Sequence, residues 1–181
     1  MATPTTLPST FTAGQILTAS EQNNLRGAFR VLQVVSTTVT AITANTSSTS
    51  FVDITDLAVT ITPQSASSKV FVMVNMNVGP NGSADDTWYN INRGATAIAQ
   101  GVGGTNNATM TYRFSYDGVG AGNQSNQIVN LASMVLDSPA TTSATTYKMQ
   151  WRTRVGTIYL NRRADTNVGV SSTITVFEIS A

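Results

Sequence analysis

The sequence predicts an all-β protein: an antiparallel β-sandwich or jelly roll of about ten strands, preceded by an extended N-terminal arm and one short helix. Three observations favour this class. The segment Lys69–Val78 alternates with period two, as a half-buried strand does. From Val31 onward, segments rich in β-branched residues alternate with turn-rich segments roughly every 8–12 residues. That region shows no helical periodicity, so we expect a single β-domain over residues 31–181.

The longest strand-like segment, Lys69–Val78, is predicted to form the centre of the domain. One of its faces is wholly apolar and consists of Val70, Val72, Val74, Met76 and Val78. The opposite face changes from apolar, at Phe71 and Met73, to amide, at Asn75 and Asn77. A strand that is apolar on both faces needs a covering layer on each side. We therefore expect Phe71 and Met73 to pack against a second sheet or a neighbouring subunit.

The remaining strands follow from the same kind of alternation. We predict them at residues 31–43, 50–55, 57–62, 87–94, 95–100, 110–116, 127–137, 145–155, 157–161 and 171–180. Leu57, Val59 and Ile61 should point inward. The segment 44–50, rich in Ser and Thr, is predicted to be a loop.

Residues 1–30 differ from the rest and are predicted to be a separate anchor. Residues 1–16 are polar and carry prolines, so they should form an extended arm that a partner or neighbouring subunit holds in place. Thr18 and Glu21 have the spacing of a capping box, which predicts a helix over residues 19–30. Its apolar stripe includes Leu25 and Phe29. We expect this stripe to dock on a partner or at a trimer axis; the alternative is that the helix packs on its own domain.

The composition argues against several classes of function. Charged residues make up only 10% of the chain and the net charge is +1, so no basic field exists to bind nucleic acid. The chain has no cysteine for thiol chemistry and no histidine, the commonest general base and transition-metal ligand. It also lacks a long apolar segment and a secretory signal. We therefore predict no enzyme, no nucleic-acid partner and no membrane insertion.

The remaining candidates for chemistry have ordinary structural explanations. The nine acidic residues show no spacing that selects a hydrolase pair. Asp85 and Asp86 lie in a loop that could supply oxygen ligands to calcium, but turn chemistry explains that loop just as well. The glycine-rich segments 101–104 and 117–122 precede no helix that could help to cradle phosphate. We predict no metal and no cofactor.

Two further groups are candidates for contacts with other molecules. The aromatic residues that could stack on a host-surface glycan are Trp88, Tyr89, Tyr112, Tyr116, Tyr147 and Trp151. Most of them are better explained as residues packed inside the sandwich. The basic residues near the C-terminus, which we expect to pair with acids across a subunit interface, are Arg152, Arg154, Arg162 and Arg163.

Residues 8–33 contain the pattern F-x-x-G-x-x-L-T-A-x-x-x-N, formed by Phe11, Gly14, Leu17, Thr18, Ala19 and Asn23. This pattern resembles the N-terminal attachment segment of many bacteriophage virion proteins. The stretches 47–72 and 136–163 are similar to the β-sandwich domains of phage fibres and of head or tail appendages, which are commonly trimeric. The resemblance implies a virion protein, made in the host cytoplasm, that forms a homotrimer and contacts other virion proteins of the capsid, tail or baseplate.

These observations predict a structural fibre or appendage subunit that is anchored to the virion by its arm and displays the sandwich, with host-surface adsorption as its possible role. The alternatives are a capsid decoration protein and a glycan-binding module. Low surface charge and the doubly apolar central strand also favour a homotrimer. The residues predicted to form the anchor or the subunit interface are Phe11, Leu17, Leu25, Phe29, Phe71 and Met73.

Overall fold

The structure, a computed structural model, describes residues 30–81, 86–101, 111–115 and 127–180, together with Gly14, Ile16, Thr18 and Ala19. The predicted all-β sandwich is confirmed. The described strands are β1 (Val31–Val39), β2 (Asn45–Thr46), β3 (Val52–Ile61), β4 (Lys69–Pro80), β5 (Asp86–Arg93), β6 (Thr96–Ile98), β7 (Tyr112–Ser115), β8 (Val129–Asp137), β9 (Thr145–Thr153), β10 (Ile158–Leu160) and β11 (Ser172–Ile179). Most of the arm and helix predicted for residues 1–30, including Phe11, Leu17, Leu25 and Phe29, lies outside the described residues.

The strands form two antiparallel sheets. In the first sheet β4 is central: β8 pairs along one of its edges, while β11 and then β10 pair along the other. β1 extends this sheet beyond β11, and β2 extends it beyond β10. The second sheet has the order β3-β9-β5, with β6 and β7 pairing with different parts of β5. The consecutive strands β3 and β4 therefore belong to different sheets, and the connection between them closes the sandwich.

The core lies between the sheets and comes from alternate residues of the long strands. The predicted inward side of β4 is confirmed, since Val70, Val72, Val74, Met76 and Val78 are all buried. They share one apolar cluster with Leu57, Val59 and Ile61 of β3, which are buried as predicted. The largest buried side chains in the second sheet are Trp151, Tyr89 and Tyr147. Each long strand thus has one side in the core and leaves the other side facing outward.

β3 differs from the prediction because it is one strand instead of two. Its pairing with β9 is interrupted between Asp53 and Ala58. Asp56, between the predicted strands 50–55 and 57–62, has a φ of 65°. This irregularity bends the chain locally without ending the strand, as a bulge does.

The predicted loop 44–50 also differs, because it contains β2. The predicted strand 31–43 ends at Val39, and Asn45 and Thr46 then pair with β10. The polar sequence here gives no signal of its own for a strand. The pairing depends on a partner far away in the chain.

A hydrogen-bonded cluster joins the two sheets. The carboxylate of Asp137, at the end of β8, accepts a 2.7 Å hydrogen bond from the Tyr147 hydroxyl of β9. It also accepts 2.8 Å hydrogen bonds from Nη1 of Arg93, at the end of β5. Burial, together with the hydrogen bond to Asp137, raises the pKa of the Tyr147 hydroxyl well above its ordinary value, so this hydroxyl stays protonated as a donor. The cluster helps to fix the orientation of one sheet relative to the other.

Candidate functional site

The outward side of the first sheet carries a continuous apolar surface. The register places Val34, Phe177, Phe71 and Leu136 in one row across β1, β11, β4 and β8. The next row contains Ser36, Thr175, Met73 and Met134. Neighbours in such a row point to the same side of the sheet, with about 4.5–5.5 Å between their Cβ atoms. We call Val34, Phe71, Met73, Met134, Leu136 and Phe177 the outer apolar face.

The outer apolar face is well exposed for a set of large apolar side chains. Met134 is 63% exposed, Leu136 57%, Val34 53% and Met73 37%. Phe71 and Phe177 are half-buried against each other, with their ring centroids 6.2 Å apart. Within the described part of the chain, no element covers this face. A contiguous exposed apolar surface of this kind indicates an interaction site.

Beyond the outer apolar face, the same side of the sheet becomes polar. Asn130 Nδ2 donates to Oδ1 of Asn77 over 3.0 Å and also to Oδ1 of Asn75. Asn77 Nδ2 in turn donates to the carbonyl oxygen of Ser171 over 2.6 Å. A shallow groove of about 360 Å³ lies where the apolar and polar parts meet, and its lining includes Met73, Met134, Phe177, Thr173, Thr175 and Asn75. The amides of the three asparagines and the hydroxyls of the two threonines thus form a polar border beside the outer apolar face.

This side of the first sheet is almost free of charge. The charged residues of β1, β4, β8 and β11 are Lys69, Asp137 and Glu178. Asp137 and Glu178 belong to the inward-facing positions of their strands. Lys69 lies at one end of the face, where its Nζ donates to Ser138 Oγ over 2.7 Å. Covering the face with another protein surface would therefore desolvate little charge.

The outward side of the second sheet has a different chemistry, centred on Arg152. The guanidinium carbon of Arg152 lies 4.3 Å from the ring centroid of Trp88 and 5.1 Å from that of Phe51. Trp88 is the cross-strand neighbour of Arg152, on β5. Phe51 directly precedes β3, on the other side of β9. Cation–π attraction to two rings holds the guanidinium in place over the sheet.

A polar group lies next to Arg152 on the same side of β9. The carboxylate of Asp53 accepts a 2.6 Å hydrogen bond from Lys148 Nζ and a 2.7 Å hydrogen bond from Gln150 Nε2. These donors, Lys148 first, lower the pKa of Asp53 below its ordinary value although burial opposes them. Alternate positions of β9 thus present an ammonium, an amide and a guanidinium along one side of the sheet.

The sequence-predicted candidates lie in different parts of the structure. Phe71 and Met73 lie together on the outer apolar face. Asp86 pairs with Arg154 at 3.6 Å, and Asp85 lies outside the described residues, so the calcium alternative for that loop stays untested. Nowhere in the described ranges do three acidic or other metal-binding side chains come close enough to hold a metal ion.

The aromatic and basic candidates divide between structural and exposed roles. Tyr89, Tyr147 and Trp151 are core residues, as the structural interpretation predicts. Tyr116 and the side chain of Tyr112 lie outside the described part of the structure. The expectation that the arginines pair with acids across a subunit interface stays a prediction, although the Arg154 and Arg163 guanidinium groups have carboxylate partners, Asp86 and Asp165, in their own chain.

Sequence reasoning did not identify all of either surface. Met134 and Leu136 are not among the predicted interface residues, although β8, like β4, has apolar residues on both sides: Val129, Leu131 and Val135 contact the core. That double alternation is a signal the sequence does contain. The grouping of Arg152 with Phe51 and Trp88 carries no comparable local signal, because three separate segments contribute to it.

Comparison of the chain with protein-family models gave no match, and comparison with curated proteins gave none either. Among the described residues, no helix is long and apolar enough to cross a membrane. Any assignment of function therefore depends on the two surfaces and on the sequence patterns.

Proposed function

We propose that the chain is a structural subunit of a bacteriophage particle: a fibre or appendage protein that forms a homotrimer, is anchored by residues 1–30 and displays the sandwich. The outer apolar face is the observation that carries this proposal. The pattern in residues 8–33 supports anchoring at a virion, and the charged content of only 10% supports close packing between copies.

A second copy of the chain fits the outer apolar face by its chemistry. The face is uncharged apart from Lys69 at one end, so copies can meet there without burying unpaired charge. Burying the exposed part of side chains such as Met134 and Leu136 favours association, by up to roughly 1.5–3 kcal/mol of free energy for each side chain. In a trimer with threefold symmetry each copy contacts two neighbours. The apolar surface is then buried in a closed assembly, and no open polymer forms.

The size of the face indicates that the anchor contributes as well. Its two rows lie on four strands about 4.8 Å apart and span about four residues that rise about 3.3 Å each, so the face covers roughly 250 Å². A stable interface needs about 800 Å² on each partner. The predicted helix precedes Val31, the first residue of β1, and β1 is the edge strand next to this face. We propose that its predicted stripe, Leu25 and Phe29, supplies the missing apolar area.

Sedimentation velocity of the purified chain at micromolar concentration tests this assembly. We expect a trimer, and we expect Met134→Lys to dissociate it because the new charge would be buried without a partner. Thr60→Lys is the matched control: Thr60 is exposed on the outward side of the second sheet, so this variant should stay trimeric. A wild-type monomer with full β-content in its circular dichroism spectrum contradicts the proposal.

The position of the chain on the particle distinguishes a fibre or tail appendage from a capsid decoration protein. The natural chain has no cysteine, so Thr60→Cys introduces a single site for a gold label. Electron microscopy should then show the label on fibres or tail structures. A label distributed over the capsid favours the decoration protein, and its absence from purified particles contradicts both forms of the proposal.

A glycan-binding module is the second candidate, and one observation favours it. The outward side of the second sheet presents an arginine between two aromatic rings beside amide and carboxylate groups. This surface is on the opposite side of the sandwich from the outer apolar face. Assembly through one side and ligand binding through the other are therefore compatible in one protein.

A further inference from the structure

We propose that Arg152, held between Phe51 and Trp88, binds the carboxylate of an acidic sugar. An acidic sugar on the host surface would be the ligand for adsorption. Only this source of the ligand rests on the proposed function. The geometry of the site stands independently of the trimer, because Arg152 lies on the sheet opposite the outer apolar face.

The guanidinium of Arg152 is fixed but has unused hydrogen-bonding capacity. A guanidinium carries five N–H donors in a rigid plane. Nη1 of Arg152 donates one long hydrogen bond, 3.3 Å, to the carbonyl oxygen of Thr49. Nε is buried and has no acceptor. The rings of Trp88 and Phe51 contribute no acceptor oxygen, so they position the cation without satisfying its donors.

Arg152 also differs from three other arginines in its charge partners, and from Arg162, whose Nε and Nη1 donate to three backbone carbonyl oxygens. Arg93, Arg154 and Arg163 each pair with a carboxylate, at 2.8, 3.6 and 2.8 Å. Arg152 has no such pair in the described part of the chain, and the nearby carboxylate of Asp53 is already bonded to Lys148 and Gln150. A half-buried guanidinium without an anion is suited to bind a carboxylate in two-pronged geometry.

The neighbours of Arg152 favour a ligand that carries one carboxylate and several hydroxyl groups over a ligand with many negative charges. Asp53 and Gln150 lie in the adjacent cross-strand row, where the second lone pairs of the Asp53 oxygens and Oε1 of Gln150 can accept hydrogen bonds from sugar hydroxyls. The negative charge of Asp53 disfavours a second anionic group close to the first. Nucleic acid and acidic peptides present repeated charges, whereas a uronic acid presents one.

The experiment is a titration of the trimer with glucuronate and, separately, with glucose, which differs from it at the carboxylate carbon. Trp88 stands against the guanidinium, whereas the only other tryptophan, Trp151, is 1% exposed in the core, so tryptophan fluorescence reports on the site. We expect saturable binding of glucuronate and none of glucose. Arg152→Gln should weaken glucuronate binding at least tenfold. Arg154→Gln, which alters an exposed arginine just after the same strand, should bind as the wild type does.

Three results overturn the inference. These are equal responses to glucose and glucuronate, equal weakening by Arg152→Gln and Arg154→Gln, and equal binding of glutarate, which would mean that the sugar body is not recognised. Arg152→Lys keeps the charge but loses the two-pronged geometry, so severalfold weaker binding is expected even if Arg152→Gln fails to fold. Wild-type affinity in Arg152→Lys counts against the proposed geometry. Sedimentation of each variant separates the two proposals: lost sugar binding in an intact trimer leaves the assembly proposal untouched.

Discussion

The buried carboxylate of Glu178 accepts a 2.6 Å hydrogen bond from Nε2 of Gln33, which joins β11 to β1 beside the core. Its other oxygen accepts a 2.7 Å hydrogen bond from the backbone N–H of Gln64, in the connection between β3 and β4. Gln33 also donates to the carbonyl oxygen of Thr62 in that connection. One carboxylate therefore holds an edge strand and the link between the two sheets. Burial raises its pKa, but these hydrogen bonds, with that from Gln33 first, outweigh burial and keep the pKa of Glu178 below its ordinary value.

The first prediction concerns the stability of the sandwich in acid. Because the pKa of Glu178 is lowered on folding, its ionised form stabilises the fold above about pH 4.5, the ordinary glutamate value, and this contribution is lost as the pH falls through the folded value. Glu178→Gln should lower the free energy of unfolding at pH 7 by about 1–3 kcal/mol. It should also flatten the decline of stability between pH 5 and 3, measured by urea unfolding. Asp56→Asn, which removes the charge of an exposed carboxylate, is the control and should change little; an unchanged pH profile in Glu178→Gln refutes the prediction.

The second prediction concerns Gly79, near the end of β4. A Cβ at this position would lie 2.2 Å from the carbonyl oxygen of Arg162 and 2.9 Å from that of Gln127, and neither backbone atom can rotate away. Gly79→Ala should therefore destabilise the fold by at least about 2–3 kcal/mol in chemical unfolding. Gly94→Ala is the comparison, since Gly94 has open space around it but a φ of 57°; it should cost about 1 kcal/mol. Equal costs would mean that crowding at Gly79 is relieved by backbone movement.

The third prediction concerns Asn161, a fully buried residue with a φ of 60°. Its Nδ2 donates to the carbonyl oxygens of Val39 and Ala41, at 2.7 and 3.1 Å, and its Oδ1 accepts a 2.6 Å hydrogen bond from Ser172. Asn161→Gly keeps the backbone unstrained but loses these bonds, which should cost about 2–4 kcal/mol. Asn161→Ala adds a left-handed strain of about 1 kcal/mol. Thermal and urea unfolding of both variants measure the difference, and an alanine variant as stable as the glycine variant would show that no strain is stored there.

The parts of the fold that could be predicted from the sequence are those that depend on local alternation. The period-two pattern of Lys69–Val78 is enough to place Val72 or Val74 in the core, because neighbouring side chains of a strand must point to opposite sides. β2 could not be predicted, since Asn45 and Thr46 become a strand only by pairing with β10. The same holds for the irregularity at Asp56, which the pairing with β9 accommodates.

The outer apolar face shows the same difference: one part of it can be predicted from the sequence of a single strand, and the other part depends on strand pairing. Phe71 and Met73 are recognisable as outward apolar residues because one strand carries both. Their neighbours Met134 and Phe177 join them only through the register of β4 with β8 and β11. That register is a property of the folded sheet, so the extent of the outer apolar face is known only once the pairing is known.

The last prediction concerns the anchor, and the backbone contacts of Arg30 determine where a truncation should end. Arg30 and Ser180 exchange hydrogen bonds, with Arg30 N donating to Ser180 Oγ at 3.0 Å and Ser180 N donating to Arg30 O at 2.9 Å, so a truncation should remove residues 1–29 and leave Arg30 in place. The strands from β1 to β11 form both sheets without residues 1–29, so the truncated chain should keep its β-content and melt cooperatively.

We expect the truncated chain to fail to join particles that lack this component, because the predicted stripe of Leu25 and Phe29 is lost. Phe29→Ala should weaken incorporation more than Gln22→Ala, since truncating a buried aromatic residue costs about 3–5 kcal/mol. Occupancy on such particles, measured after adding full-length, truncated and single-variant protein, is the readout. Normal loading of the truncated form would place the anchor in the sandwich. Loss of cooperative melting would show instead that the helix packs on its own domain, because only then does the core depend on residues before Arg30.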